Sequence, residues 1–159
     1  MLAVAATASI AAGLALATPI IGLISPILAA GNHQTDIHVH GTGTGTTGVP
    51  LEIVLKVEGP ATISTQDGAY GVGGHNGWHS HQGMVFVTMI SGSIQWFNEN
   101  CEETDYTAGD AWAEGSKLHY FRVVGTGGVH LMATFVTAQG AALRTDQPAP
   151  ACAAALGLI

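Results

Sequence analysis

The stretch Gly73-Gly74-His75-Asn76-Gly77-Trp78-His79-Ser80-His81 sets two imidazoles two residues apart, between a glycine-rich turn and the apolar run Met84 to Ile90. In an extended strand residues i and i+2 face the same side, so His79 and His81 can present their rings to one metal ion. The spacing alone is weak evidence, because His38-Val39-His40 repeats it in the same chain. The surroundings decide more. Outward from the pair the chain breaks into short apolar runs, Leu51-Val57, Ala61-Ser64, Met84-Ile90, Ser93-Phe97, Ala111-Ala113, His119-Val124 and Val129-Val136, separated by Gly, Asn or Asp. These runs are rich in Val, Ile, Phe and Thr, and downstream of the N-terminal segment no stretch of ten or more residues carries a helical period. The pattern predicts an all-β chain closed into a barrel or paired as a sandwich.

The 159 residues allow one domain of ordinary size. Only 9% are charged and 22 are glycine, while 47% are hydrophobic, enough apolar surface to fold and unlike a helical cytosolic protein. Eleven acids against four bases give a net charge of -7, which lacks the basic footprint of a nucleic-acid binder, so DNA and RNA are excluded as expected partners.

Residues 1–30 contain no charged side chain and are mostly Ala, Leu and Ile, interrupted by Pro19 and Pro26. They read as an export signal cleaved near Ala30-Gly31, or as a retained hydrophobic anchor, which would be the only link to a membrane. The positively charged start usual for such signals is missing, since the first basic residue is Lys56. Residues 31–50, with the Gly/Thr run Gly41 to Gly48, read as a flexible lead-in; 51–140 hold the expected barrel and 141–159 a C-terminal tail. Export implies a secreted or cell-envelope protein in an oxidising compartment, where Cys101 and Cys152 would form a disulfide pinning the tail; two unrelated thiols are the alternative.

At Gly73, His79, His81 and Gly92 the sequence resembles the cupin superfamily, whose first motif is Gly, five residues, His-x-His, three or four residues, Glu, six residues, Gly. Val85 stands where the Glu belongs. The second motif is matched more loosely by Gly109, Gly115 and His119, with His119 one residue early and Val123 near the usual Asn. The likeness spans about residues 52 to 137, and the flanks Trp78-His79-Ser80-His81 and Leu143 to Pro148 look like small exported bacterial cupins. It implies a single jelly-roll barrel of six to eight strands holding one divalent transition metal (Fe, Mn, Zn or Ni) in one mouth, on His79, His81 and His119. Without the Glu, three neutral imidazoles leave the ion nearly its full charge, which favours an anionic ligand and keeps coordination positions open.

Val85 and Trp78 are expected to line the pocket, and His75 to sit there as an extra ligand or an acid/base group. Glu114, the carboxylate nearest His119 in sequence, is a candidate for the missing oxygen ligand. His130, alternating with Val129, Leu131 and Ala133, reads as a packing histidine. Asp36, His38 and His40 read as a solvated segment. Trp96, Trp112 and Tyr120 read as core residues.

No residue identifies a reaction. The sequence fits an exported metal-dependent enzyme, dioxygenase-like or Lewis-acid in its chemistry, acting on a small anionic substrate, and equally a non-catalytic metal- or ligand-binding module of the cell envelope. Whether the chain pairs into a homodimer stays open.

Overall fold

The alternating runs become strands. The computed structural model describes residues 17–158, and in them the chain forms β1 (Ile21–Ile24), β2 (Ile27–His33), β3 (Ile37–Thr44), β4 (Pro50–Val57), β5 (Ala61–His75), β6 (His79–Ser80), β7 (Gly83–Ser91), β8 (Ser93–Asn98), β9 (Glu103–Thr107), β10 (Ala111–Glu114), β11 (His119–Val124), β12 (Val129–Ala138) and β13 (Thr145–Asp146), then a 3-10 turn at Ala154–Leu156. Residues 1–16 of the expected signal lie outside the described residues. Among the described residues no helix is long and apolar enough to cross a membrane.

Eleven strands form one nearly closed antiparallel sheet in the order β10-β7-β12-β5-β11-β6-β13, with β1 and β2 also on β5 and the β8-β9 pair on β11. Period-two alternation explains its wall. Val85, Val87 and Met89 of β7 and Leu131, Ala133 and Phe135 of β12 point inward and are buried, whereas Phe86, Thr88, Met132 and Thr134 point out. Each fully buried aliphatic or aromatic side chain contributes about 1.5–3 kcal/mol. A second apolar cluster, Trp78, Phe97, Tyr120, Ala153 and Leu158, seals one end, and Trp78 Nε1 donates to the Leu158 carbonyl at 2.7 Å.

Strand pairing joins both ends of the described chain to the barrel sheet. In residues 17–30, β1 and the start of β2 pair with β5, and Ile20 and Leu23 pack on the main core. This raises the strand count beyond the expected six to eight. The lead-in at 31–50 is not loose chain. Gly and Thr alternate in β3 and pair in register with β4, from Ile37↔Val57 to Thr44↔Pro50, as a separate two-stranded sheet. The barrel proper thus resumes at Ala61 rather than at 51. The tail is also structural, with β13 on β6 and Leu158 fully buried.

Cys101 and Cys152 are at disulfide distance, with sulfurs 2.07 Å apart and 51 residues of sequence separation. Closing a loop of that length stabilises a fold by about 4 kcal/mol on chain-entropy grounds. Reduction, or joint Cys101→Ser and Cys152→Ser substitution, should therefore release the tail from Trp78 and lower the denaturant midpoint; a midpoint unchanged in urea would show that the bridge is not formed.

Candidate metal centre

Strand parity and register bring the histidines together. His79 and His81 stand two residues apart, and His119 of β11 lies directly opposite His79 of β6, so all three rings share one face. Ring centroids are 4.3 Å apart for His79 and His119, 4.8 Å for His79 and His81, and 5.0 Å for His81 and His119.

The fourth member enters across the sheet. In the β10–β7 pair Glu114 is directly opposite Val85, and opposed residues point to the same side. Glu114 therefore projects a carboxylate into the barrel beside the valine that stands in the motif's Glu position. Its Oε2 lies 3.2 Å from His81 Nε2 and 3.3 Å from His119 Nε2, and those two nitrogens are 3.2 Å apart. Donor atoms of His79, His81, Glu114 and His119 all lie within 4.8 Å of one another.

Hydrogen bonds settle which ring atoms face inward. His79 Nδ1 is 2.9 Å from the Gly77 carbonyl, His81 Nδ1 2.6 Å from that of Leu143, and His119 Nδ1 2.9 Å from that of Lys117. A carbonyl only accepts, so each Nδ1 carries the proton and each neutral ring offers an Nε2 lone pair. Three lone pairs and a carboxylate then meet with no donor among them, an arrangement that requires a cation between them. Glu114 Oε1 is occupied separately, accepting the indole N–H of Trp112 at 2.8 Å and of Trp96 at 3.0 Å. The tryptophans aim the carboxylate, leaving Oε2 for the cluster.

Electrostatics agree. Burial, then the neighbouring His119 and Arg144 charges, pushes the His79 pKa down to about 2, so this ring stays neutral. Burial opposes protonation of His119, yet the Glu114 carboxylate beside it raises its pKa overall. Burial would raise the Glu114 pKa, but the histidines and indole donors hold it well below the usual value. A proton held by His119, favoured by the Glu114 carboxylate beside it, would supply that cation in metal-free protein. The native state then binds fewer protons at His79 than the unfolded chain once pH drops below about 6.5, so stability should fall there by roughly 1 kcal/mol per pH unit. His119, with its raised pKa, contributes stability that is complete below about 6.5 and is lost as pH rises through its folded value. Metal-free protein should thus melt highest near pH 6.5, and a thermal midpoint still rising at pH 4 would contradict this arrangement.

The cluster closes one side of a cavity of about 160 Å³ inside the barrel. Its walls are largely apolar, including Val85, Val87, Leu131 and Phe135, with Ser25, Gln66, Tyr70, Asn76 and Arg144 as polar groups beside the cluster. Arg144 is held by Nε to Asp146 Oδ1 at 2.7 Å and Nη1 to the Asn76 carbonyl at 2.8 Å. Its Nη2 lies against the Asp146 carboxylate but makes no aligned hydrogen bond.

No family sequence model and no curated protein matches the chain by sequence. Structural similarity is broad. A cupin-2 domain protein from Rhodospirillum rubrum superposes with a TM-score of 0.53 at 16% identity, covering 89% of this chain and 78% of its own. The fold is that of a cupin. A cupin-like protein from Thermotoga maritima (TM-score 0.49, 14% identity, 55% of this chain and 65% of its own) and a double-stranded β-helix protein from Klebsiella pneumoniae (0.47, 20%, 53% and 73%) resemble it over shorter spans.

Within this cupin barrel Val85 lines the cavity, whereas Trp78 and His75 do not. Trp78 neighbours His79 in an extended segment, so its side chain points the opposite way, into the sealed end. His75 ends β5 against Tyr120, with ring centroids 5.5 Å apart, and is likewise absent from the wall. His130 is half-exposed on the outer face and paired with Asp67, not packed in the core. His40 pairs with Glu52 in solvent at 3.0 Å. Trp96, Trp112 and Arg144 also belong to the site, and no local pattern in the sequence marks them. The Nδ1 acceptors of His79 and His119 sit two residues upstream and carry a local signal; Leu143 and Arg144 reach the site only through the folded tail.

Proposed function

We propose that this cupin binds one divalent transition metal through His79, His81, His119 and Glu114 and presents it to a small carboxylate with an apolar body. The observation that carries the reading is the three Nδ1–H groups committed to backbone carbonyls, which leave three Nε2 lone pairs facing one carboxylate oxygen. The bound ion would supply Lewis acidity, or oxygen activation if it is iron. The protein's own contribution is selection. A cavity of about 160 Å³ is close to one that accepts benzene, so the ligand's body is about a single ring or short chain. Arg144 is the one permanently cationic group in the wall, and with the ion it makes the interior attractive to an anion. The disulfide supports export to an oxidising compartment.

Elemental analysis of purified protein should find about one ion per chain, lost in His81→Ala; protein free of metal after incubation with each of Fe, Mn, Zn and Ni would refute the centre. Calorimetry with benzoate should then show binding that weakens about tenfold or more in Arg144→Gln while metal content is unchanged. Equal binding of benzamide would refute the anion preference and leave the metal reading standing. Iron together with oxygen uptake would assign catalysis; zinc without turnover would assign a binding module.

A further inference from the structure

The four-residue cluster has a second side. The inner cavity is lined by His79, His81 and Glu114 but not by His119, whereas a separate cavity of about 230 Å³ is lined by Glu114 and His119 but not by the other two histidines. Glu114 is the partition between them. The second cavity lies at a seam in the barrel: among the described residues β10 pairs only with β7 and β9 only with β8, so no ladder joins β10 to the β8-β9 pair. Trp96 of β8 and Leu118 of the β10–β11 loop form its sides, and its floor is Glu114 and His119, whose side chains are 6% and 2% exposed. At its rim stand Glu99 and Lys117, 31% and 80% exposed, joined by an ion pair of 2.6 Å.

Charge separates what the two cavities can admit. The inner one sets the permanent cation Arg144 against its single carboxylate, Glu114, and offers a divalent ion little net attraction. The second carries two carboxylates, Glu99 at the rim and Glu114 at the floor, against one lysine. Clefts lined by one sign of charge concentrate the opposite ion. The space suits a hydrated ion, since each water takes about 30 Å³ of liquid volume. The two rim residues differ in mobility. An exposed ion pair is weak in water, so the lysine side chain can swing aside. Glu99 sits in a braced turn, where Asn98 Oδ1 accepts the Asn100 and Glu102 N–H groups at 2.9 and 3.0 Å and Cys101 lies at disulfide distance from Cys152.

We propose that the second cavity is the entrance for the hydrated divalent ion, with Glu99 as its first carboxylate contact and Lys117 as the bar across it, so that metal and small carboxylate reach the centre from different sides. This rests on the metal reading above. Metal-free full-length protein mixed with Co²⁺ reports uptake through the visible absorption of the bound ion, and excess EDTA then reports release. Glu99→Lys should slow both rates about tenfold or more at low salt, leave the dissociation constant within about threefold, and approach wild type at about 0.5 M salt. Lys117→Met keeps the backbone carbonyl that His119 Nδ1 needs and should speed both rates about fivefold. Glu58→Lys makes the same charge change at an exposed position outside both cavities and should leave the rates as in wild type. Protein that takes up no Co²⁺ refutes the metal reading and the entrance with it. Co²⁺ uptake that is as fast in Glu99→Lys as in wild type, that is no faster in Lys117→Met, or that Glu58→Lys slows as much as Glu99→Lys, overturns the entrance and leaves the metal reading standing.

Discussion

Glu114→Gln should lower divalent metal affinity about 100-fold or more while leaving the fold intact, as measured by competition with a chelating dye. Gln keeps an oxygen for the Trp96 and Trp112 indoles, which Ala would orphan at a cost of about 1–3 kcal/mol each. It removes the charge that faces His81 and His119, so the ion loses its one anionic ligand. The register gives a sharper test. Because Val85 and Glu114 are opposite one another and both point inward, the carboxylate can be moved between strands. Val85→Glu combined with Glu114→Gln should recover much of the lost affinity. Val85→Glu alone sets two buried carboxylates side by side, and should bind metal more tightly while destabilising the metal-free protein by like-charge repulsion. Unchanged affinity in Glu114→Gln would mean that the carboxylate only orients the histidines.

That exchange also marks what a linear sequence can carry. Strand parity is local, so the seven apolar runs read from the chain all lie in strands, and the shared face of His79 and His81 was legible directly. Register is not local. Glu114 stood out only as the acid nearest His119, and nothing in the sequence places it opposite Val85, a relation set by the β7–β10 pairing. The two-residue strands β6 and β13 are too short to show any period, and β3 was hidden by its glycines, which resemble a linker until β4 pairs with them. The N-terminal strands were obscured for the opposite reason. An uncharged Ala- and Ile-rich stretch satisfies a secretion signal and an edge β-strand equally well, and the pairing of β1 and β2 with the long strand β5 is a relation that no local pattern carries.

Removal of residues 1–30 should abolish folding, whereas removal of residues 1–17 should leave the thermal midpoint within a few degrees of the full chain. The longer cut deletes β1 and the start of β2, strips Ile20 and Leu23 from the core, and removes the Ser25 carbonyl that accepts Gln66 Nε2 and the Pro26 carbonyl that accepts the Asp67 N–H. It also removes Thr18, whose Oγ1 accepts the Trp78 N–H at 2.6 Å beside the first histidine. Gly77, at φ +67, has the Thr18 and Pro19 carbonyls packed where a Cβ would project, so this N-terminal strap lies directly against the segment that positions His79. Each lost hydrogen bond withdraws about 0.5–1.5 kcal/mol, and with the packing of Ile20 and Leu23 the loss is comparable to the stability of a domain this size. The shorter cut spares every one of these contacts. If the chain is exported and cleaved, a site compatible with the barrel precedes Thr18, where Ala15-Leu16-Ala17 offers the small-x-small pattern. Intact-mass analysis of protein recovered from the cell envelope should find a chain beginning at Thr18; a folded, metal-loaded chain beginning at Gly31 or Asn32 would show that β5 can dispense with its N-terminal partners.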